Sequence, residues 1–374
     1  MDSMRNKKID IVRAFALLLV IIYHSWVLTG STQIHNSLLY RLIALGGEIG
    51  VTIFFILSGY GIYCSLSNLE DEDGKINKKE FAKRRFIRIV PHYYLNIFVT
   101  LLLMDGGYYL GKEHFADIVS HLLFVHNLIP RYFGEINGVL WTMGVIVQFY
   151  AISIILFKSM KKNAGLTTVC SIVFTIVAKA LVFKYITNHG LSIQLFVAGR
   201  QLFTALDNFV LGMFAAYLIA EKKINQNCIA GFALVILSFA GLMYINYSGM
   251  LRGIHTNNLS GYTWHSLLAI DMAVFMIGIA NINIKLGWTN WIQKALLQIA
   301  KYEYGIYIWH LLMMRNLLSK SPMIIGLVQK GQWIIVCLVF IILSIIIGVV
   351  MSIMVEGIQN RLKKIIFSID IFHS

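Results

Sequence analysis

The chain has 374 residues, 58% of them hydrophobic and 13% charged, whereas a soluble domain carries about 25% charged residues. That balance excludes a soluble globular protein and reads as a polytopic membrane protein. The formal net charge of +14 would suggest nucleic acid in a soluble chain. In a membrane protein the retention of Lys and Arg in cytoplasmic loops explains it, and no nucleic-acid partner is implied.

Taken in order, apolar runs long enough to span the lipid bilayer fall at residues 9–29, 46–66, 92–111, 139–157, 165–184, 196–219, 228–247, 264–281, 302–318 and 333–355. The expected fold is all-α, a bundle of about ten transmembrane helices. The runs are too long and smooth for barrel strands. The first follows a basic RNKK but contains Arg13 and meets no small-residue cleavage site, so it reads as a retained helix. An even number of spans puts both termini on one side. With that side cytoplasmic, the inner segments hold about 22 Lys and Arg against about 8 outside, as expected for a multi-pass protein of the plasma (inner) membrane.

Between the spans, residues 67–85 run from acidic to basic, as a solvated inner loop would. The outer segment near residues 106–137 contains ADIVSHLLFVHNL, and the inner segment 281–301 contains GWTNWIQKALLQIAK; both suggest interfacial helices. There is no repeat, low-complexity tract or appended soluble domain, so residues 1–374 read as one integral-membrane domain. The four cysteines are scattered without CxxC spacing, and no metal site is expected.

Arg13 and His24 lie eleven steps apart in the first span, within about 20° of three full turns, so they share a helix face across about 16 Å of rise. The same rise places Phe54, Phe55 and Ser58 of the second span level with His24. It brings Ile146 and Gln148 of the fourth span and Trp309 and His310 of the ninth to a similar depth. Two histidines and a serine are thus expected in one layer, with Asp207 and Asp271 roughly there. An ionisable group at that depth costs about 2.5–3.5 kcal/mol on insertion scales, so it normally faces a cavity or a partner. Bland readings stand beside these. Ser58–Gly59 fits a small-residue helix contact, Arg84, Arg85 and Arg88 fit topology signals, and Gln148 and His310 fit interhelical packing.

These residues together resemble the acyltransferase 3 family of bacterial integral-membrane acyltransferases. The matching motifs are R-x10-H (Arg13, His24), FF-x-x-SG (Phe54, Phe55, Ser58, Gly59) and R-x-x-R before proline (Arg85, Arg88, Pro91). The stretches from Trp141 to Tyr150 and from Tyr304 to His310 follow in the same order. The resemblance implies an O-acyltransferase, commonly an O-acetyltransferase. Such an enzyme moves an acyl group from cytoplasmic acetyl-CoA, a co-substrate rather than a resident cofactor, to a hydroxyl of a cell-surface polysaccharide or other glycan. It implies His24 as the catalytic residue and Arg13, Arg85 and Arg88 as acyl-donor contacts. Phe54, Phe55, Ser58, Trp141, Gln148, Tyr150, Trp309 and His310 are expected to line the site. The sequence departs from the family at Ile146, where a glutamate is usual, and at Glu303, where serine is usual. If another carboxylate serves, Asp271 is the first choice, because Asp207 has Arg200 seven residues earlier on nearly the same helix face. The alternatives are an exporter of a glycan or lipid-linked sugar, or an inactive partner in polysaccharide synthesis.

Overall fold

The computed structural model describes residues 7–31, 37–103, 106–109, 111–191, 194–221, 227–247, 256–282 and 290–369. The chain ends expected to be cytoplasmic, 1–6 and 370–374, lie outside the described residues. The helices are α1 (Lys7–Thr29), α2 (Leu38–Ser67), α3 (Lys78–Leu103), α4 (Gly106–Tyr109), α5 (Phe115–Leu122), α6 (Trp141–Lys162), α7 (Ala164–Asn188) and α8 (Leu195–Ala198). They continue with α9 (Leu206–Ala216), α10 (Cys228–Tyr247), α11 (Leu259–Asn281), α12 (Asn290–Lys301), α13 (Glu303–Lys320), α14 (Pro322–Gln329) and α15 (Trp333–Ile369). No strand forms among the described residues, so the protein is an all-α membrane protein.

Seven of these helices, α1, α2, α6, α7, α10, α11 and α15, are long and apolar enough to cross a bilayer. The pair α13–α14 makes an eighth if its 83° bend is counted within one span. That bend has a local cause: Ser321 caps α14 through its hydroxyl, and Pro322 at the first helical position cannot continue α13. The other two expected spans correspond to α3, whose basic first turns precede an apolar half, and to a broken element. Residues 196–219 are not one helix: α8 ends at Ala198 and α9 starts at Leu206. Here Thr204 Oγ1 donates to Ala198 O at 2.8 Å and accepts from Gln201 N at 3.0 Å, so side chains take up backbone groups that a helix would pair internally.

Helix α2 is the spine, packed chiefly on α1 and α9. Small residues make both contacts possible. A Cβ on Gly50 would sit 2.7 Å from Ala16 O, and one on Gly47 would sit 2.6 Å from the Tyr23 ring. On the α9 side a Cβ on Gly59 would lie 1.9 Å from Phe209 O, and one on Gly212 would lie 1.8 Å from Ile56 O. The outer faces of α7, α10 and α15 expose Leu166, Val173, Val177, Ile229, Ile236, Ile342 and Ile346, the surface that lipid requires.

Candidate functional site

The three arginines singled out by their spacing meet around one narrow cavity of about 80 Å³. Helices α1, α2, α3, α6 and α13 all contribute to it. Its walls include Arg13, Ser58, Arg85, Arg88, Tyr150 and Glu303, with Phe54, Thr142 and Tyr307 at the inner end. A second recess shares Arg13, Gly61, Arg88, Glu303 and Tyr304, so the cavity continues outward past Lys301 and Gln359.

Charge in this cavity is unbalanced. Arg13 stands 3.5 Å from Asp10 and 3.7 Å from Glu303, while Arg85 and Arg88 add two further cations. Arg85 packs its guanidinium over Phe81 at 5.3 Å and over Tyr150 at 5.7 Å. Its buried Nε has no hydrogen-bond acceptor among the described residues. An arginine held by aromatic faces with a donor left over suits an anionic ligand, because the guanidinium fork matches phosphate geometry. Arg84, in contrast, is taken by Glu80 at 2.6 Å and is the topology-type residue of the three neighbours.

Beyond Tyr307, one turn along α13, lies the pair of histidines. His310 Nε2 is 2.9 Å from His24 Nδ1, and His310 Nδ1 is 2.5 Å from the Tyr307 carbonyl oxygen. A carbonyl accepts only, so His310 carries its proton on Nδ1, and its neutral Nε2 is an acceptor. His24 must then donate from Nδ1, which leaves His24 Nε2 with a free lone pair. The pair of hydrogen bonds thus sets the tautomer of His24, with Nε2 as its accepting atom. Tyr307 is tied down in turn, with its hydroxyl 3.0 Å from Thr142 Oγ1 and its ring 5.2 Å from Phe54.

Not every expected residue joins this arrangement. The layer of two histidines and a serine divides: Gly46, Gly47 and Gly50 pack against residues 16–23 of α1, which carries Phe54 and Ser58 towards Arg13 rather than His24. Ser58 lines the arginine cavity, whereas its neighbour Gly59 makes the helix contact. Phe55 turns from that cavity onto Phe149 and Trp141. Gln148 is held by Asn127 at 2.9 Å and anchors the segment before α6. Trp309 is buried with an unpaired Nε1 and lines neither recess. Asp271 points its carboxylate at α10, where a Cβ on Gly241 would lie 2.4 Å from Oδ1; the rotation of α11 turns it away from His24. Asp207 does not share a helix face with Arg200, because the break separates them. Arg200 pairs with Glu48, and Asp207 lies within charge range of Lys179.

Ile146 lines the arginine cavity, and so does Glu303. The carboxylate absent from α6 therefore has a counterpart on α13 in the same chamber. Sequence reasoning passed over Thr142, Tyr307, Glu48 and Lys179. The last two carried a signal, an ionisable residue inside an apolar run, and the first two stood inside quoted motifs without a role.

The sequence of the family described as "Acyltransferase domain" matches residues 6–353. The O-acetyltransferase OatA of Staphylococcus aureus (strain NCTC 8325 / PS 47) is 24% identical over 325 residues, covering 81% of this chain and 49% of that protein. The protein of Bacillus subtilis (strain 168) named "Putative peptidoglycan O-acetyltransferase YrhL" is 25% identical over 332 residues, covering 81% and 47%. The chain thus spans about half the length of the curated relatives it matches. No solved structure matches. On motifs in register, an all-α membrane fold and a match running from residue 6 to residue 353, this chain belongs to the acyltransferase 3 family.

Proposed function

We propose that this protein is an O-acetyltransferase that takes an acetyl group from cytoplasmic acetyl-CoA and delivers it to a hydroxyl of a cell-surface glycan. The basic end of the bundle, with Arg85 and Arg88, faces the cytoplasm in this reading. The observation that carries it is the histidine relay, in which the Tyr307 carbonyl orders His310 and His310 orders His24. Such an arrangement serves general base chemistry, and it stands one helical turn beyond a cavity suited to phosphates.

The steps follow from the groups present. Arg85, Arg88 and Arg13 hold the donor's phosphates, and the pantetheine arm runs inward between Phe54, Ser58 and Tyr150. The thioester carbonyl passes the Tyr307–Thr142 hydrogen bond to reach His24. His24 Nε2 takes the proton of the acceptor hydroxyl as its oxygen attacks the thioester carbon. The C–S bond then breaks, and the thiolate recovers that proton from His24. His310 holds the imidazolium in place by accepting from Nδ1 throughout.

The test is transfer of radiolabel from acetyl-CoA to glycan by membranes containing the protein. Label on glycan with the wild type and none with His24→Ala, at equal protein level, is the expected result. Undiminished labelling by His24→Ala would end this assignment.

A further inference from the structure

Helices α1 and α13 run side by side in the same direction, with Arg13 3.7 Å from Glu303 and His24 2.9 Å from His310. Further along the pair, away from the donor cavity, Ser25 Oγ lies 4.0 Å from Met314 Sδ. Arg315 comes next, five residues and about 7.5 Å beyond His310. It is exposed and within charge range of His24. Its guanidinium rests on the segment before α6, where a Cβ on Gly138 would lie 3.5 Å from Arg315 Nη2 and 3.5 Å from Leu311 Cδ2. A cation serving only the membrane interface extends its head into water instead.

The segment under Arg315 is pinned to α13 at the level of the histidines. Asn137 Nδ2 donates to the Ile308 carbonyl oxygen at 3.0 Å and to Asn96 Oδ1 at 2.9 Å, and Asn96 Nδ2 donates to the same Ile308 oxygen at 3.0 Å. Both asparagines are buried, so Gly138 is a fixed wall. Other arginines are engaged: Arg84 by Glu80, Arg131 by the Glu113 carbonyl and Arg200 by Glu48. Arg315 has no hydrogen bond or ion pair among the described residues. His310 is fully buried and His24 only partly, so the histidine pair is open to a ligand at His24. A cation there opposes a base. His24 becomes an imidazolium when it takes the acceptor's proton, and two positive charges away from bulk water repel. An anion on the acceptor cancels that repulsion, and the guanidinium fork is shaped to hold it.

From this geometry we infer that Arg315 binds an oxyanion, carboxylate or phosphate, borne by the acceptor sugar, and so selects acidic glycans. The inference rests on the acyl-transfer reading for its place in catalysis, but the anion site can be measured apart from turnover. Full-length protein in phosphatidylcholine nanodiscs is dialysed to equilibrium against radiolabelled trigalacturonic acid or its neutral methyl ester. The wild type should bind the acid at least tenfold more tightly than the ester. Arg315→Gln should abolish that difference and Arg315→Lys should keep part of it. Lys330→Gln, which removes the same charge elsewhere, should bind as the wild type does. No binding of the acid by the wild type, equal affinity for acid and ester, or a difference that survives Arg315→Gln would each overturn the inference. Loss of binding in phosphatidylglycerol nanodiscs would also overturn it, by giving Arg315 to a lipid phosphate. The expected pattern with no label passing from acetyl-CoA to any sugar would keep the anion site and remove the acyl-transfer reading instead.

Discussion

His310 decides which nitrogen of His24 is basic, because the Tyr307 carbonyl dictates the state of its own ring. His310→Leu removes the acceptor for His24 Nδ1 and should lower kcat by about 10²–10⁴-fold, the usual worth of an acid–base group, with the KM for acetyl-CoA unchanged. His310→Gln offers a carbonyl oxygen to the same proton and should recover part of that loss. Steady-state rates on both variants check this, and equal loss in the two would refute the tautomer argument. At the other end of the cavity, Arg85→Ala should raise the KM for acetyl-CoA tenfold or more while sparing kcat, since a charge-assisted hydrogen bond is worth about 1.5–3 kcal/mol. The shared face of Arg13 and His24 was legible in the sequence because helical periodicity is local. The choice of His310 over Asp271 as the partner of His24 was not. Depth follows from counting residues, but the partner depends on how α11 and α13 are rotated about their axes, which tertiary packing sets.

Helix contacts carry the same lesson. Ser58–Gly59 reads from sequence as either a site or a packing motif, and the structure divides the roles between adjacent residues on opposite faces of α2. Gly59→Ala and Gly212→Ala each drive a methyl into the facing backbone. They should cost about 1–3 kcal/mol, seen as a lower Tm in detergent, whereas Gly357→Ala, with open space around it, should be near neutral. The break in residues 196–219 was hidden because apolar content continues across it; Gln201 and Thr204 break the helix by bonding locally. Outside the spans, His121 and His126 stack with centroids 4.0 Å apart beneath the segment before α6. Burial, with the neighbouring His121, pushes His126 down to about 3. A histidine lowered in the folded state binds its proton more readily when unfolded, so its contribution is intact above about pH 6.5 and falls as the pH drops towards 3. Corrected for the intrinsic slowing of exchange in acid, the protection of the amides in residues 115–128 should therefore fall across that window, and His126→Phe should flatten the dependence.

Across the whole molecule, Lys161 draws three connections to one end of the bundle, standing 3.3 Å from Glu70 and 3.1 Å from Glu221. Reporter fusions after Asn77 and Asn163 should read the same compartment, and one after Asn257 the opposite one. Between Asn163 and Asn257 lie α7, the broken α8–α9 and α10, so a matching signal at Asn163 and Asn257 would mean that the broken element does not cross. The interlocked glycines of α2 and α9 also set a schedule for biogenesis. Gly59 and Gly212 are 153 positions apart, about 8–30 s of synthesis at 5–20 residues per second. Over that interval the spine helix has emerged with its α9 groove unfilled, its bare backbone facing lipid or an insertion factor. The early part of the chain therefore reaches its final packing only after more than half of the protein has been made.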